Sequence, residues 1–312
     1  MITWGISANS HNAALAVFDN DQLVFASDSE RFSKIKNDPD LNPELIEYAR
    51  RWGQPEKVYW YEKPMSKSVR QLFAGQGLHI ESVKKYLESY GITVPVKTTN
   101  HHLSHAAAGY YTSTFNDACV IVIDAIGESQ SLTIWQGQGN NLKLVYRLDY
   151  PQSIGLWYSA MTQRIGLKPN EEEYILMGMA ALGNPNRLTR DMLNDFIRMP
   201  IDDFNNPVVF TENFHRGCNW WRPDLTSEFD KYDIAAATQQ VYQIIFERIL
   251  QFALTKSTSR NLVLMGGCAL NCSANTAAYK YYDNVWIMPA PGDNGSAVGA
   301  VLAHKKKHIK LS

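Results

Sequence analysis

The chain states one strand pattern twice, and that repetition limits what it can fold into more than any single motif does. Residues 1–32, MITWGISANSHNAALAVFDNDQLVFASDSERF, read as an apolar strand, a small-residue turn, a second apolar strand, an Asp-Asn-Asp turn and a third strand. Residues 118–148, ACVIVIDAIGESQSLTIWQGQGNNLKLVYRL, follow the same order, with an acidic, Gly-containing turn first and a Gly/Asn turn second. Two such meanders in one chain predict a duplicated α/β fold. At 312 residues and 45% apolar content, the sequence has enough material for the cores of two lobes.

Between and after the meanders lie two motifs with chemical content. In NHHLSHAAAGYY, His101 and His105 are four apart, so a helix puts both imidazoles on one face while His102 points elsewhere. Joined by Asp293 of PAPGDNGSAVGA, they would give two nitrogens and one carboxylate with open positions, a set suited to iron(II) and also accepted by zinc. The competing reading is that these are core histidines bonded to backbone, and for an isolated HxxxH that reading is favoured. The second motif is an apolar strand, NLVLMGG, running into CALNCSANTAAY. Its paired glycines allow close backbone approach to a ligand, and a following helix would offer free amides to a nucleotide.

Nine blocks then occur in one order: GISANSHNAALAVFDND, SERFSKIKND, HHLSHAAAGYY, VIDAIGES, SIGLWYSAMTQRIGL, NEEEYILMGMAALGNP, DIAAATQQVYQIIFERIL, LMGGCALNCSAN and PAPGDNGSAVGA. In them the chain resembles the N-terminal, actin-like catalytic domain of the O-carbamoyltransferases that modify nodulation factors and aminoglycosides, a domain related to the tRNA threonylcarbamoyl transferase. The resemblance implies an actin-like (ASKHA, RNase H-like) two-lobed fold with a central cleft, its lobes at 1–114 and 115–312. It implies that His101, His105 and Asp293 bind a divalent metal, iron(II) first and zinc or manganese as alternatives. Gly266, Gly267 and Asn271 would line a nucleotide pocket for ATP or carbamoyladenylate. The Ser7–His11 loop and the turn at Asp124, Gly127 and Glu128 would flank phosphates or the carbamoyl group. In the charged run from Glu30 to Asp38, whose other reading is a solvated loop, Arg31 and Lys36 would neutralise a leaving phosphate. His11 is the candidate for proton transfer at the acceptor hydroxyl, with loop fixation as its other reading.

This sequence departs from the family pattern at Asn12, Ala125 and Asn37, which puts acid or base roles at Asn12 and Asn37 in doubt and points to altered specificity. Family members continue into a module that makes carbamoyladenylate from carbamoyl phosphate and ATP. A chain ending at KKKHIKLS is expected to take carbamoyl phosphate itself, to depend on a separate activating protein, or to be an excised piece, with a stand-alone enzyme or homo-oligomer reasonable.

Residues 184–233 break the duplicated pattern with five arginines, Trp220-Trp221 and little periodicity, and are expected to form an irregular insertion over the cleft. Arginines among aromatics suit base stacking, so Trp220, Trp221 and Arg222 are the candidate acceptor-binding residues, while packing by its own aromatics is the other reading of the segment and the favoured one for any single residue. The resemblance implies the acceptor class: relatives act on sugars, antibiotics and hydroxymethylated pyrimidines of virus-type DNA, so hydroxymethylcytosine is the expected acceptor, ahead of a small hydroxylated metabolite or sugar. Against that, a net charge of −1 gives no global footprint for nucleic acid. No apolar run of about 18 residues and no signal-like N-terminus are present, so a cytoplasmic protein with no membrane partner is expected. Cys119, Cys218, Cys268 and Cys272 lack zinc-finger spacing; Cys119 and Cys268 read as buried free thiols, and Cys268 and Cys272 as packing residues on one helical face. Residues 71–90 read as a helical connection and the tail from His304 to Lys310 as a solvated helix end. A sugar-kinase-like phosphotransferase would share the duplicated fold without needing the histidine pair, and a nucleotide-binding partner subunit would bind ATP without turnover.

Overall fold

Short apolar runs bounded by turn residues in the first meander give β1 (Ile2–Ser7), β2 (Ala14–Asp19) and β3 (Gln22–Asp28), paired antiparallel in sequence order. β4 (Lys57–Trp60) adds in parallel to the other side of β1 and β5 (Val96–Thr98) to β4, for a sheet ordered β3-β2-β1-β4-β5. The second half builds the same sheet. Here β6 (Asp117–Gly127), β7 (Gln130–Gln138) and β8 (Asn141–Asp149) form the meander. After a separate small hairpin, β9 (Ile197–Arg198) with β10 (Val209–Phe210), the strands β11 (Asn261–Met265) and β12 (Asn284–Ile287) extend β6 in parallel, giving β12-β11-β6-β7-β8. The duplication expected from the sequence is therefore present strand for strand. This computed structural model describes residues 1–64, 68, 82–198 and 206–311.

The two sheets are joined by an exchange of helices. The histidine helix, His101–Thr112, follows the first sheet in sequence but packs on β6 and β11 of the second. The C-terminal helix, Asp293–Lys305, follows the second sheet and packs on β1 and β2 of the first. Both helices are apolar around most of their circumference, as they must be when sheets and helices cover them on several sides. They cross at Gly299, where an added Cβ would stand 1.8 Å from the carbonyl oxygen of Ser104. Their contact fills the central core with Ala106–Ala108, Tyr110, Tyr111, Val120, Val263, Ala297 and Val301. This close crossing sets His105 beside Asp293.

The rest of the second half covers the outer face of its sheet. The long helix Glu228–Lys256 starts at a capping box of Ser227 and Asp230 and buries Ile234, Tyr242, Phe246 and Ile249. Residues 184–198 and 206–233 pack against it and against the helix Ile154–Arg164, burying Met192, Phe196, Phe214 and Trp221. The expected irregularity of this insertion is corrected, while packing by its own aromatics is the reading favoured for its single residues. The segment contains an amphipathic helix, Thr189–Phe196, and the β9–β10 hairpin, and its aromatics pack into the lobe. The C-terminal tail also differs from a solvated end: His304 stacks on Tyr59, Lys305 and Lys307 pair with Asp21, and the Ile309 amide donates to the Tyr111 carbonyl. Of the expected connection at 71–90, Val83–Ser89 is a helix and 71–81 lies outside the described residues. Among the described residues no helix is long and apolar enough to cross a membrane.

Candidate metal centre and donor cavity

Strand ends and helix starts meet in the cleft between the sheets. The histidine helix begins there because Asn100 caps it, its side chain accepting from the Leu103 amide, and because Glu128 anchors its first turn. Glu128 Oε1 accepts from the backbone amides of His101 (3.1 Å) and Lys63 (2.7 Å), and Oε2 accepts from the Asn100 side chain at 2.9 Å. Gly127 must be glycine for the same fit, since a Cβ there would meet the His101 ring at 2.3 Å and the His102 ring at 2.7 Å. His102 turns away to Thr133, its Nδ1 2.9 Å from the hydroxyl.

His101 and His105 present their Nε2 atoms 3.1 Å apart, toward the carboxylates of Asp124 near the end of β6 and Asp293 at the start of the C-terminal helix. Asp124 Oδ2 lies 3.2 Å from His101 Nε2 and 3.3 Å from His105 Nε2. Asp293 Oδ1 lies 3.4 and 3.2 Å from the same two atoms. One ligand atom from each of the four lies within 4.8 Å of the others. Two nitrogens and two carboxylate oxygens around one point fit a divalent transition metal. The carboxylates act strongly on the imidazoles: burial opposes charge on His101, yet Asp293 and Asp124 raise its pKa well above the usual histidine range. His105 is raised for the same balance of causes. Burial works against ionisation of Asp124 and Asp293 too, and the histidines overcome it and hold both carboxyls well below the ordinary aspartate range. His102 behaves oppositely, burial and the neighbouring His101 pushing it well below the usual value.

A cavity of about 480 Å3 opens from this cluster. Its first-lobe wall carries Ser10, His11, Asn12, Lys36 and Asn37; its second-lobe wall carries Tyr158, Glu173, Gly267 and Asn271. The Lys36 ammonium reaches across the mouth, donating to the Glu171 carbonyl at 3.1 Å and lying 4.1 Å above the Tyr174 ring. Asn271 forms a reciprocal amide pair with Gln239, both bonds 3.0 Å, and Gln239 accepts from the Tyr158 hydroxyl at 2.8 Å. The Gly266 amide donates to Pro291, tying the Gly-Gly turn to the loop that carries Asp293.

Asp124 faces the histidines within the four-residue cluster and also lines the cavity, where the sequence reading gave it phosphate or carbamoyl contact. Other expected site residues lie off the cavity wall. Glu128 is occupied by the helix start, and Ser7 is buried at the end of β1, off the cavity wall. Arg31 is 79% exposed and 3.6 Å from Asp28, facing solvent rather than the cavity. The acceptor trio is absent from the cavity wall: Trp221 is 3% exposed with its indole N–H on Asp195, Trp220 is an exposed ring against Phe196, and Arg222 pairs with Asp191 and Asp224. Among the described residues of that insertion, only His215 lines the cavity. The helix expected after Gly267 is a 3-10 turn, Gly267–Leu270, and a single α-turn, Cys272–Asn275, so it has no aligned amides of a long helix to offer. Cys119 is buried, Cys268 only partly so and Cys272 exposed, so the last is not a packing residue. The signal for Tyr158 and Glu173 was available in the blocks SIGLWYSAMTQRIGL and NEEEYILMGMAALGNP, although composition alone marks neither.

Comparison with known proteins adds a family. The profile described as "Carbamoyltransferase N-terminus" matches residues 78–302. "Uncharacterized protein sll1178" of Synechocystis sp. is 32% identical, the alignment covering 96% of this chain and 56% of that protein. The 3'-hydroxymethylcephem-O-carbamoyltransferase of Amycolatopsis lactamdurans is 21% identical over 94% of this chain and 57% of its own length. The chain thus spans little more than half of these relatives. Among solved structures, T. kodakarensis HypF superposes with a TM-score of 0.55 at 14% identity, covering 98% of this chain and 47% of HypF, a likeness of fold.

Proposed function

Because the chain belongs to the carbamoyltransferase N-terminal family, we propose that its cleft transfers a carbamoyl group from carbamoyl phosphate or carbamoyladenylate to an acceptor hydroxyl. The observation that carries this reading is the convergence of His101, His105, Asp124 and Asp293 at one end of a cavity whose mouth is crossed by Lys36. Those four residues would hold a divalent cation, iron(II) by its preference for mixed imidazole and carboxylate ligands, with zinc or manganese as alternatives. When bound, the metal supplies Lewis acidity to donor oxygens.

The chain's own residues do the rest. Asn271 and Gly267 line the second-lobe side of the cavity, where a donor with a nucleotide leaving group would lie. Lys36 meets the phosphate charge at the mouth. The acceptor oxygen attacks the carbamoyl carbon, a C–O bond to the acceptor forms, and the bond from that carbon to phosphate breaks, its electron pair leaving with phosphate or AMP. His11, on the first-lobe wall, takes the hydroxyl proton.

The hydroxymethylcytosine expectation came from the resemblance and drew support from the Trp220-Trp221 pair as stacking surfaces, and both rings lie off the cavity wall. The acceptor we carry forward is a small molecule with a primary hydroxyl, in keeping with the hydroxymethyl compound named for the Amycolatopsis relative. The test is mass spectrometry of the protein with iron(II), synthetic carbamoyladenylate or carbamoyl phosphate, and either 3'-hydroxymethylcephem or hydroxymethylcytosine DNA. A carbamate on the small acceptor that disappears in Asp293→Ala supports the proposal. A carbamate on DNA alone overturns the acceptor, and phosphoryl transfer in place of carbamoyl transfer overturns the reaction.

A further inference from the structure

Each imidazole of the cluster has a second nitrogen facing outward, and those outward nitrogens meet specific buried groups. His105 Nδ1 lies 3.2 Å from the hydroxyl of Ser296, which is fully buried one turn along the helix that begins at Asp293. His101 Nδ1 is buried with no hydrogen-bond partner among the described residues, and the nearest acid is Glu62, its Oε2 4.0 Å away and its residue 3% exposed.

Glu62 is held where it is by its neighbours. The Tyr61 amide donates to the Ile6 carbonyl at 3.1 Å, and the Tyr61 carbonyl accepts from the Ser104 hydroxyl at 2.6 Å. On the other side the Lys63 amide donates to Glu128. A carboxylate on so firmly tied a segment, next to an orphaned ring N–H, is placed to receive that proton after a shift of about an ångström to ordinary hydrogen-bond length.

We propose that Glu62, together with Ser296, is a positioning residue for the metal centre: Glu62 accepts the Nδ1 proton of His101 and Ser296 engages Nδ1 of His105, fixing the rings so that both Nε2 lone pairs face the cation. This rests on the metal reading given above. Outer partners of this kind fix the tautomer and raise the basicity of the ligating nitrogen, and their loss weakens metal binding about 10- to 100-fold. Glu62 does not line the cavity, and its effect passes through His101.

The test uses cobalt(II) alone as the probe, titrated into the metal-free full chain and followed by visible absorption and equilibrium competition with a chelator. Wild type is expected to bind one cobalt per chain. Glu62→Ala is expected to lose about 10- to 100-fold in affinity with altered absorption bands, Glu62→Gln about tenfold, and Ser296→Ala severalfold. Melting temperatures of the metal-free variants show whether each folds, and the near-isosteric Glu62→Gln carries the test if Glu62→Ala does not. Wild-type affinity and an unchanged spectrum in Glu62→Gln would overturn the proposal while leaving the metal centre standing. If wild type binds no cobalt, or His101→Ala binds as tightly as wild type, the metal reading itself fails and this inference goes with it.

Discussion

Gly127 and Glu128 show how much of the centre is decided by residues off the cavity wall. A methyl group at position 127 would overlap the His101 and His102 rings, so Gly127→Ala should cost about 1–3 kcal/mol and displace the histidines. Glu128→Ala leaves the buried His101 amide, the partly buried Lys63 amide and the Asn100 side chain without their acceptor, a loss of about 2 kcal/mol. Chemical denaturation measures both, and a metal titration should show both weaker than wild type. Lys36→Ala should weaken carbamoyl phosphate binding about tenfold and Arg31→Ala should leave it unchanged, by isothermal titration; equal losses would contradict the cavity assignment. The histidine pair was legible because four-residue spacing is a rule of helix geometry. Asp124 was legible as an acid at a strand end, but its place in the cluster depends on where β6 stops relative to a helix of the other half, and no local pattern encodes that. Ser296 lies within the block PAPGDNGSAVGA and Glu62 beside Lys63, but neither residue's spacing to a histidine marks it as that histidine's partner.

At the level of elements, the insertion and the long helix separate stability from chemistry. Trp221 is packed against Phe196 with its N–H on Asp195, so Trp221→Ala should destabilise by about 3–5 kcal/mol and leave donor affinity untouched when measured below the variant's melting transition. The aromatic and arginine content of residues 184–233 was plain in the sequence. What composition could not say is which way those rings point, since stacking on a base and packing in a core draw on the same residues. The capping box of the long helix gives a pH prediction. Hydrogen bonds from Ser227, then Arg187, lower the Asp230 pKa from 3.8 to about 2. The folded value lies below the unfolded one, so the stabilisation is complete above pH 3.8 and is lost as pH falls through about 2. A carbon-detected NMR titration should place the Asp230 midpoint near 2, and a midpoint at 3.8 would contradict the cap.

Across the whole molecule, duplication gives each half an equivalent sheet, and exchange of the histidine and C-terminal helices makes the halves one body with a cleft. The strand repeats foretold the sheets because short apolar runs and the turn residues between them are local signals. The exchange is set by tertiary packing, by small residues such as Gly299 that admit a close helix crossing, and so could not be read from periodicity. It is also what unites His101 and His105 with Asp293, 188 residues after His105. The central claim is that this crossing builds a metal centre at the inner end of a donor cavity. Anomalous diffraction at the iron edge, from crystals grown with iron(II) and carbamoyl phosphate, tests it most directly. The account predicts one iron peak enclosed by His101, His105, Asp124 and Asp293, with donor density in the adjoining cavity; iron bound at other residues, or an empty cluster at saturating iron(II), would contradict it.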